Sequence, residues 1–453
     1  MRGTWWVVAC SYVFWCACGP AGGSDAPDAP GGSNTPMLIA GGGVANGPIS
    51  GTLNVYVVAS GGSTPIAGAS VTAGTHTATT DATGLATFTD LNGAQTISAT
   101  ASGKAATTWI GANGANVTIP LDPSPRTTPT AKASGSINGW DSLAAPSFGH
   151  YTLAVVLYSF VTDVAAPENN LTQPTSNGAP LDTCVNSGLG SSCAWQLTTR
   201  TGAQRHVATI VDGDAHGTSS DLSDDTYTLV GYAAGQSVSL TANQQQSNET
   251  LSMVPSNQLA NLSVSFPAAP SGLGRVIAIP MLDLGADGKV VFPLPTLDAG
   301  HTSTKVIAPT GTFAGTYDLV ALATPNATAK TPYSTVLMNG VSLSQAAIDP
   351  FLAAPSALSA ANGTYKFTAA SGASIHYASF QKSDGTVLWN VAILDGSTSF
   401  TLPALSPDPL GTGARAMVIT AADVPSFDPA HFAVPDVQSR LHRAAGASVD
   451  FTK

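Results

Sequence analysis

Short stretches in which apolar and polar residues alternate, each broken by Gly, Pro, Asn or Asp, recur along this chain from about residue 48 to its end. Leu53-Asn-Val55-Tyr-Val57-Val58, Tyr151-Thr-Leu-Ala-Val-Val-Leu-Tyr158, His206-Val-Ala-Thr-Ile-Val211, Thr226-Tyr-Thr-Leu-Val230 and Val238-Ser-Leu240 are examples. A two-residue period places alternate side chains on opposite faces of an extended strand, so each run predicts a strand with one buried face. Only 344–353 and 437–445 read as helical, and both lack an extended 3.6-residue pattern. The expectation is an all-β protein of several β-sandwich domains in series, joined by turn-rich connections.

The first 18 residues depart from this pattern. Arg2 is followed by an apolar run, Thr-Trp-Trp-Val-Val-Ala-Cys-Ser-Tyr-Val-Phe14, too short to cross about 30 Å of hydrocarbon as a helix, which takes roughly 20 apolar residues. This reads as an export signal. At its end, Trp15-Cys16-Ala17-Cys18-Gly19 resembles the lipobox of bacterial lipoproteins. That resemblance implies lipidation of Cys18 and a membrane partner through the lipid. Ordinary cleavage near Ala17 or Ala21, giving a free secreted protein, is the alternative reading. Residues 19–47, rich in Gly, Pro, Ser and Asp, are expected to be a disordered tether, because they bury too little to offset the entropy of ordering.

Residues 48–122 carry a second resemblance. The strand 53–58 is followed by Thr64-Pro-Ile-Ala-Gly-Ala-Ser-Val71, Thr80-Asp-Ala-Thr-Gly-Leu-Ala-Thr-Phe88, Asp90-Leu91, Ile97-Ser-Ala99 and Val117-Thr-Ile-Pro-Leu121. The arrangement is similar to the carboxypeptidase regulatory-like domain, a transthyretin-like β-sandwich, and implies that fold with no active site. The Thr80–Gly84 segment is a hairpin turn in which Gly84 supplies positive φ. Leu85 and Phe88 cannot both face inward on strict alternation, which leaves the register open.

A Pro/Thr linker at 123–131 then leads to a β-domain at 132–267. Beyond it, Gly288-Lys-Val-Val-Phe292-Pro-Leu294-Pro-Thr-Leu297 and Gly396-Ser-Thr-Ser-Phe400-Thr-Leu402-Pro-Ala-Leu405 share a ten-residue pattern 108 positions apart. This spacing suggests two Ig-like or fibronectin-like sandwiches, at 268–355 and 356–453.

Composition narrows the function. The chain of 453 residues has 16 Lys and Arg, 27 Asp and Glu, and a net charge of −11. The basic residues form no cluster, so a nucleic acid is not an expected partner. Of the five cysteines, Cys10, Cys16 and Cys18 belong to the signal region, and Cys184 and Cys193 are the pair in the mature globular part, with a short flexible segment between them. In an oxidising compartment they are expected to form a disulfide. Metal ligation by this pair is the weaker reading, since CxxC spacing and further ligands are missing from the adjacent sequence.

Three chemical readings remain. No Gly-x-Ser-x-Gly, His-Glu-x-x-His or phosphate loop occurs, and the eight histidines are scattered. An enzyme is therefore not expected, with a hydrolase assembled across 132–267 held as the least favoured option. Asp212, Asp214 and Asp221 form the densest polar cluster. Asp212, Asp214 and Gly217 match positions 1, 3 and 6 of a calcium loop, while His216 and Ser223 break the pattern. A structural Ca²⁺ is the one cofactor considered, against an acidic surface loop. Trp140, in Ser136-Ile-Asn-Gly-Trp140-Asp-Ser, has a turn-like setting and is the candidate for stacking on a sugar ring, against ordinary core packing. The sequence therefore reads as an exported, lipid-anchored surface protein of the bacterial cell envelope, on the outer membrane or outside the cell. Its expected role is non-catalytic binding, as an adhesion or scaffold module for envelope proteins, with polysaccharide binding beside a surface hydrolase as the alternative.

Overall fold

The computed structural model describes residues 35–453 except 61, 126–128, 141–142, 144–146, 160–182, 187–192, 215, 217–225, 255–257, 266, 292–302, 310–315, 327–330 and 342–345. The expected export signal with Cys18, Asp221 and much of the first copy of the ten-residue pattern lie outside the described residues. Among those described, the protein is β-structure almost throughout, as the two-residue periodicity predicts. The α-helix is the six-residue Val434–Ser439. No helix among the described residues is long and apolar enough to cross a membrane. The helical expectations fail in detail. Residues 346–347 form a strand, and Arg443–Thr452, which takes in the end of the second expected helix, is a long strand. Val449 and Phe451 alternate along that strand against the core, so tertiary burial overrides the weak local preference.

Strand pairing crosses the boundaries expected near 122 and 355. One 12-stranded sheet runs through the molecule in the order Lys289–Val291, Arg275–Asp283, Thr316–Thr324, Tyr333–Val341, Arg443–Thr452, Ala414–Asp423, Ile375–Lys382, Val387–Ile393, Ala106–Ala112, Gln95–Thr100, Ser70–Ala73 and His76–Thr79. It is the shared layer of three sandwiches. At one end it packs on a five-stranded sheet around Leu53, Val55, Val57, Val71, Ile97, Val117 and Ile119. In the middle, a three-stranded sheet built from 356–361, 364–368 and 399–401 covers a core containing Tyr365, Phe380, Trp389 and Phe400. At the far end, strands Leu259–Ser265, Ser303–Pro309 and Ala346–Ala347 form the second layer over Leu319, Ala321 and Val336.

The first and last parts of the chain are welded together. Strand Ala106–Ala112 pairs in parallel with Val387–Ile393, and its residues serve two cores: Trp109 faces the N-terminal one, Ala106 and Ile110 the C-terminal one. Trp389 Nε1 donates to Thr108 Oγ1 at 2.8 Å, and Ser124 Oγ donates to the Val387 carbonyl at 2.6 Å. The end of the expected tether joins the weld, which corrects the extent of the disordered segment. The Met37 N–H donates to Asn116 Oδ1 at 2.8 Å and the Ile39 N–H to Thr118 Oγ1 at 2.9 Å. Strand Gly43–Ala45 then inserts between Asn116–Leu121 and Phe432–Ala433. These backbone groups gain partners that composition cannot reveal.

Residues 130–254 form a separate seven-stranded sheet, ordered 183–186, 150–158, 202–214, 226–240, 245–253, 130–138 and 193–200. Its two edges come back against each other, so the sheet is rolled around a core of Ala133, Ile137, Trp140, Val156, Trp195 and Ile210.

Candidate functional site

The residues singled out in the sequence fall at three separate places on the rolled sheet. Trp140 follows the end of strand Thr130–Asn138, and its ring folds back into the core, leaving 2% of the residue exposed. This overturns its candidacy as a sugar platform. A turn-like setting says where the backbone goes, and here the apolar ring follows the burial that a rolled sheet offers at its end. Trp109, Trp195 and Trp389 are buried as well, so no tryptophan among the described residues presents a face to solvent.

Cys193 opens the edge strand Cys193–Arg200 and is disulfide-bonded. The Cys184 side chain lies outside the described residues. Its strand, Thr183–Asn186, forms the opposite edge of the rolled sheet.

Asp212 and Asp214 lie at the end of strand Gly202–Asp214. Opposite them, His150 places Nδ1 2.8 Å from Asp212 Oδ2 and Nε2 3.9 Å from Asp214 Oδ2. The His216 N–H donates to Asp214 Oδ1 at 2.9 Å, with Nδ1 3.7 Å from Asp214 Oδ2. The carboxylates thus face imidazoles, and Asp221 is outside the described residues. Among the described residues no three His, Cys, Asp or Glu side chains are disposed to hold a metal ion.

Sequence reasoning missed the polar interior of the rolled sheet. His206 is fully buried, and its Nδ1 is 2.7 Å from Glu249 Oε2. Two glycines make room for Glu249. A Cβ at Gly135 would fall 1.8 Å from the Glu249 carbonyl oxygen, and one at Gly235 2.3 Å from Glu249 Oε1. The Trp195 ring packs 5.4 Å from the His206 ring, and Tyr158 is the cross-strand neighbour of His206. Burial pushes the Tyr158 phenol well above its ordinary range, so it keeps its proton. The dyad resembles the orienting half of a catalytic triad, with His206 fully buried and Glu249 8% exposed. Its chemistry is that of a buried, hydrogen-bonded core pair.

A second missed feature joins the rolled sheet to the long one. A 3₁₀ turn, Gly285–Asp287, brings Asp287 against strand Gly202–Asp214 of the rolled sheet, where it is buried. Asp287 Oδ2 accepts from Arg205 Nη2 at 3.0 Å, Oδ1 accepts from Ser237 Oγ, and its carbonyl accepts from Ser159 Oγ and, at 3.1 Å, from Arg200 Nη2. Arg200 also donates through Nε to the Ser159 carbonyl at 2.7 Å. Desolvation lowers the Arg200 guanidinium to about 10, which still leaves it cationic at neutral pH. Beside this polar latch, Val207, Tyr232 and Val254 pack on Leu282, Val290 and Tyr317. The turn was legible as Gly-Ala-Asp-Gly, but nothing near it in the sequence names its partners.

No family model matches the chain, and no curated protein does. Among solved structures, a tetra-tandem repeat in the extending region of a large adhesion protein aligns with 88% of this chain and 99% of its own, at 12% identity and a TM-score of 0.15. The Bacillus anthracis TIE protein aligns with 66% of this chain and 49% of its own, at 8% identity and a TM-score of 0.15. The N-terminal four Ig domains of Dscam1 isoform 4.44 cover 89% of this chain and 98% of theirs, at 12% identity and a TM-score of 0.13. Likeness at this level carries no functional argument.

Proposed function

We propose that this protein is an exported, lipid-anchored, non-catalytic module of the cell envelope, serving as a rigid adhesion or scaffold element. The observation that carries this reading is the continuity of the body: one sheet spans three sandwiches, and a buried polar latch fixes the fourth unit to it. Such construction suits a part that must hold its shape between an anchor and a partner. The character of the surface supports the same reading. Phe148 and Val230 are the exposed large apolar side chains among the described residues, and single exposed residues do not make an apolar interface. Partner recognition would then rest on uncharged polar groups, consistent with only 9% charged residues. The buried tryptophans favour this role over sugar stacking.

Two measurements on the full chain test the reading. Detergent-phase partitioning of the wild type should be lost in Cys18→Ser, and unchanged partitioning would reject the anchor. A polysaccharide array run beside a pull-down from envelope proteins should give protein partners only. Saturable binding to a glycan would replace the scaffold reading with the carbohydrate-binding one.

A further inference from the structure

Strand Arg275–Asp283 pairs on one side with Lys289–Val291 and on the other with Thr316–Thr324. Asp283 stands opposite Lys289, and Met281 stands opposite Asp318. Since 281 and 283 are two apart, Lys289, Asp283 and Asp318 share one face of the sheet. The Lys289 side chain crosses the intervening strand, and Nζ contacts Asp318 Oδ2 directly, with both residues buried at 7% and 4% exposure. Asp283 Oδ2 is 3.9 Å from the same nitrogen. The Gly340 N–H donates to Asp318 Oδ1 at 3.0 Å.

This set holds the parts of an amide-forming site. We propose that Lys289 and Asp318 condense into an intramolecular amide, a covalent cross-link between the edge strand and the strand beyond its neighbour. Proton transfer across the contact converts ammonium and carboxylate into amine and carboxylic acid. The Nζ lone pair then attacks Asp318 Cγ, and the negative charge developing on Oδ1 meets the Gly340 N–H, as in an oxyanion hole. Asp283 takes a proton from the attacking nitrogen and returns it to the departing Oδ2 hydroxyl. One N–C bond forms, one C–O bond breaks, one water leaves, and Asp283 is unchanged. No oxidant or other reactant is consumed.

Condensation is unfavourable between free groups in water, but fixed contact replaces a bimolecular encounter and burial limits the return of water. The bond would also serve the architecture. Lys289–Val291 is a three-residue strand and, among the described residues, the last one of its sheet, where a few hydrogen bonds alone give little hold. It follows the turn that carries Asp287, so an amide at Lys289 would fix the hairpin that latches the rolled sheet.

Tryptic peptide mass spectrometry of the purified full chain tests the proposal. The expected species is a branched peptide in which 276–305, uncut at Lys289, is joined to 306–330 with the loss of one water, and fragmentation places the branch at Lys289 and Asp318. Lys289→Arg keeps the charge but cannot form the amide, and should yield linear peptides only. Asp283→Asn keeps both reacting groups and should strongly reduce the branched species. Linear peptides alone from the wild type, with cleavage after Lys289, would overturn the cross-link. A branched species undiminished in Asp283→Asn would overturn the role given to that carboxylate.

Discussion

Single residues show where local chemistry decides and where it does not. Gly84 adopts φ of 77°, and a Cβ there would lie 2.7 Å from the Val57 carbonyl oxygen, so the glycine is required both by its turn and by the neighbouring strand. The open register after it is settled at Asp90. Positive φ there lets Ala86, Phe88 and Leu91 all face the core, while Leu85 is only partly buried. Trp140 illustrates the opposite case, since its neighbours in sequence gave no sign of its burial. Trp140→Ala should destabilise the rolled sheet by about 3–5 kcal/mol, read as a fall in urea midpoint, and should leave any glycan signal unchanged. His376 supplies a pH dependence. It packs against Phe367 at 4.9 Å, and burial lowers it from its ordinary value of 6.5. As pH falls through about 6.5 the unfolded chain protonates this imidazole before the folded one does. Stability should therefore decline below that pH and level off once the folded group also titrates. A urea midpoint followed from pH 7.5 to pH 5 should fall less steeply in His376→Gln.

At the scale of elements, the informative contacts lie between segments far apart in the chain. The Asp287 latch depends on a turn of three residues meeting Ser159, Arg200, Arg205 and Ser237. Removal of the carboxylate strands a partly buried guanidinium, so Asp287→Ala should cost about 3 kcal/mol, the low end for breaking a buried pair. It should also expose the junction to limited proteolysis while the sandwich cores stay intact. The disulfide at Cys193 fits the same logic. It sits on one edge of a sheet whose two edges meet, where a covalent tie opposes unrolling. Much of this level was legible only as strand existence. Alternation in 53–58 and 206–211 gave strands, but the pairing of 106–112 with 387–393 could not be read, because either strand's pattern suits many neighbours.

For the whole molecule, the shared sheet means that the units expected at 48–122 and 356–453 are not independent. Strand Ala106–Ala112 has a neighbour on each side, and its Ala106 and Ile110 face the C-terminal core. Truncation after residue 355 would uncover that edge and the apolar residues beside it. The shortened chain should aggregate on size-exclusion chromatography where the full chain runs as a single species. A soluble, monomeric fragment with native circular dichroism would show that the N-terminal sandwich stands alone.

What the sequence determined by itself was the class of structure. Period-two alternation, frequent Gly and Pro and scarce charge suffice for an all-β chain, because strand formation follows from side chains a few positions apart. The Thr80–Gly84 turn was equally local. What only the tertiary structure decided was partnership: which edge strand meets which, that Trp140 points inward, that Glu249 finds His206, and that Lys289 reaches Asp318. Sheet contacts join residues separated by hundreds of positions, and their free energy belongs to the assembled surface. No window along the chain contains it.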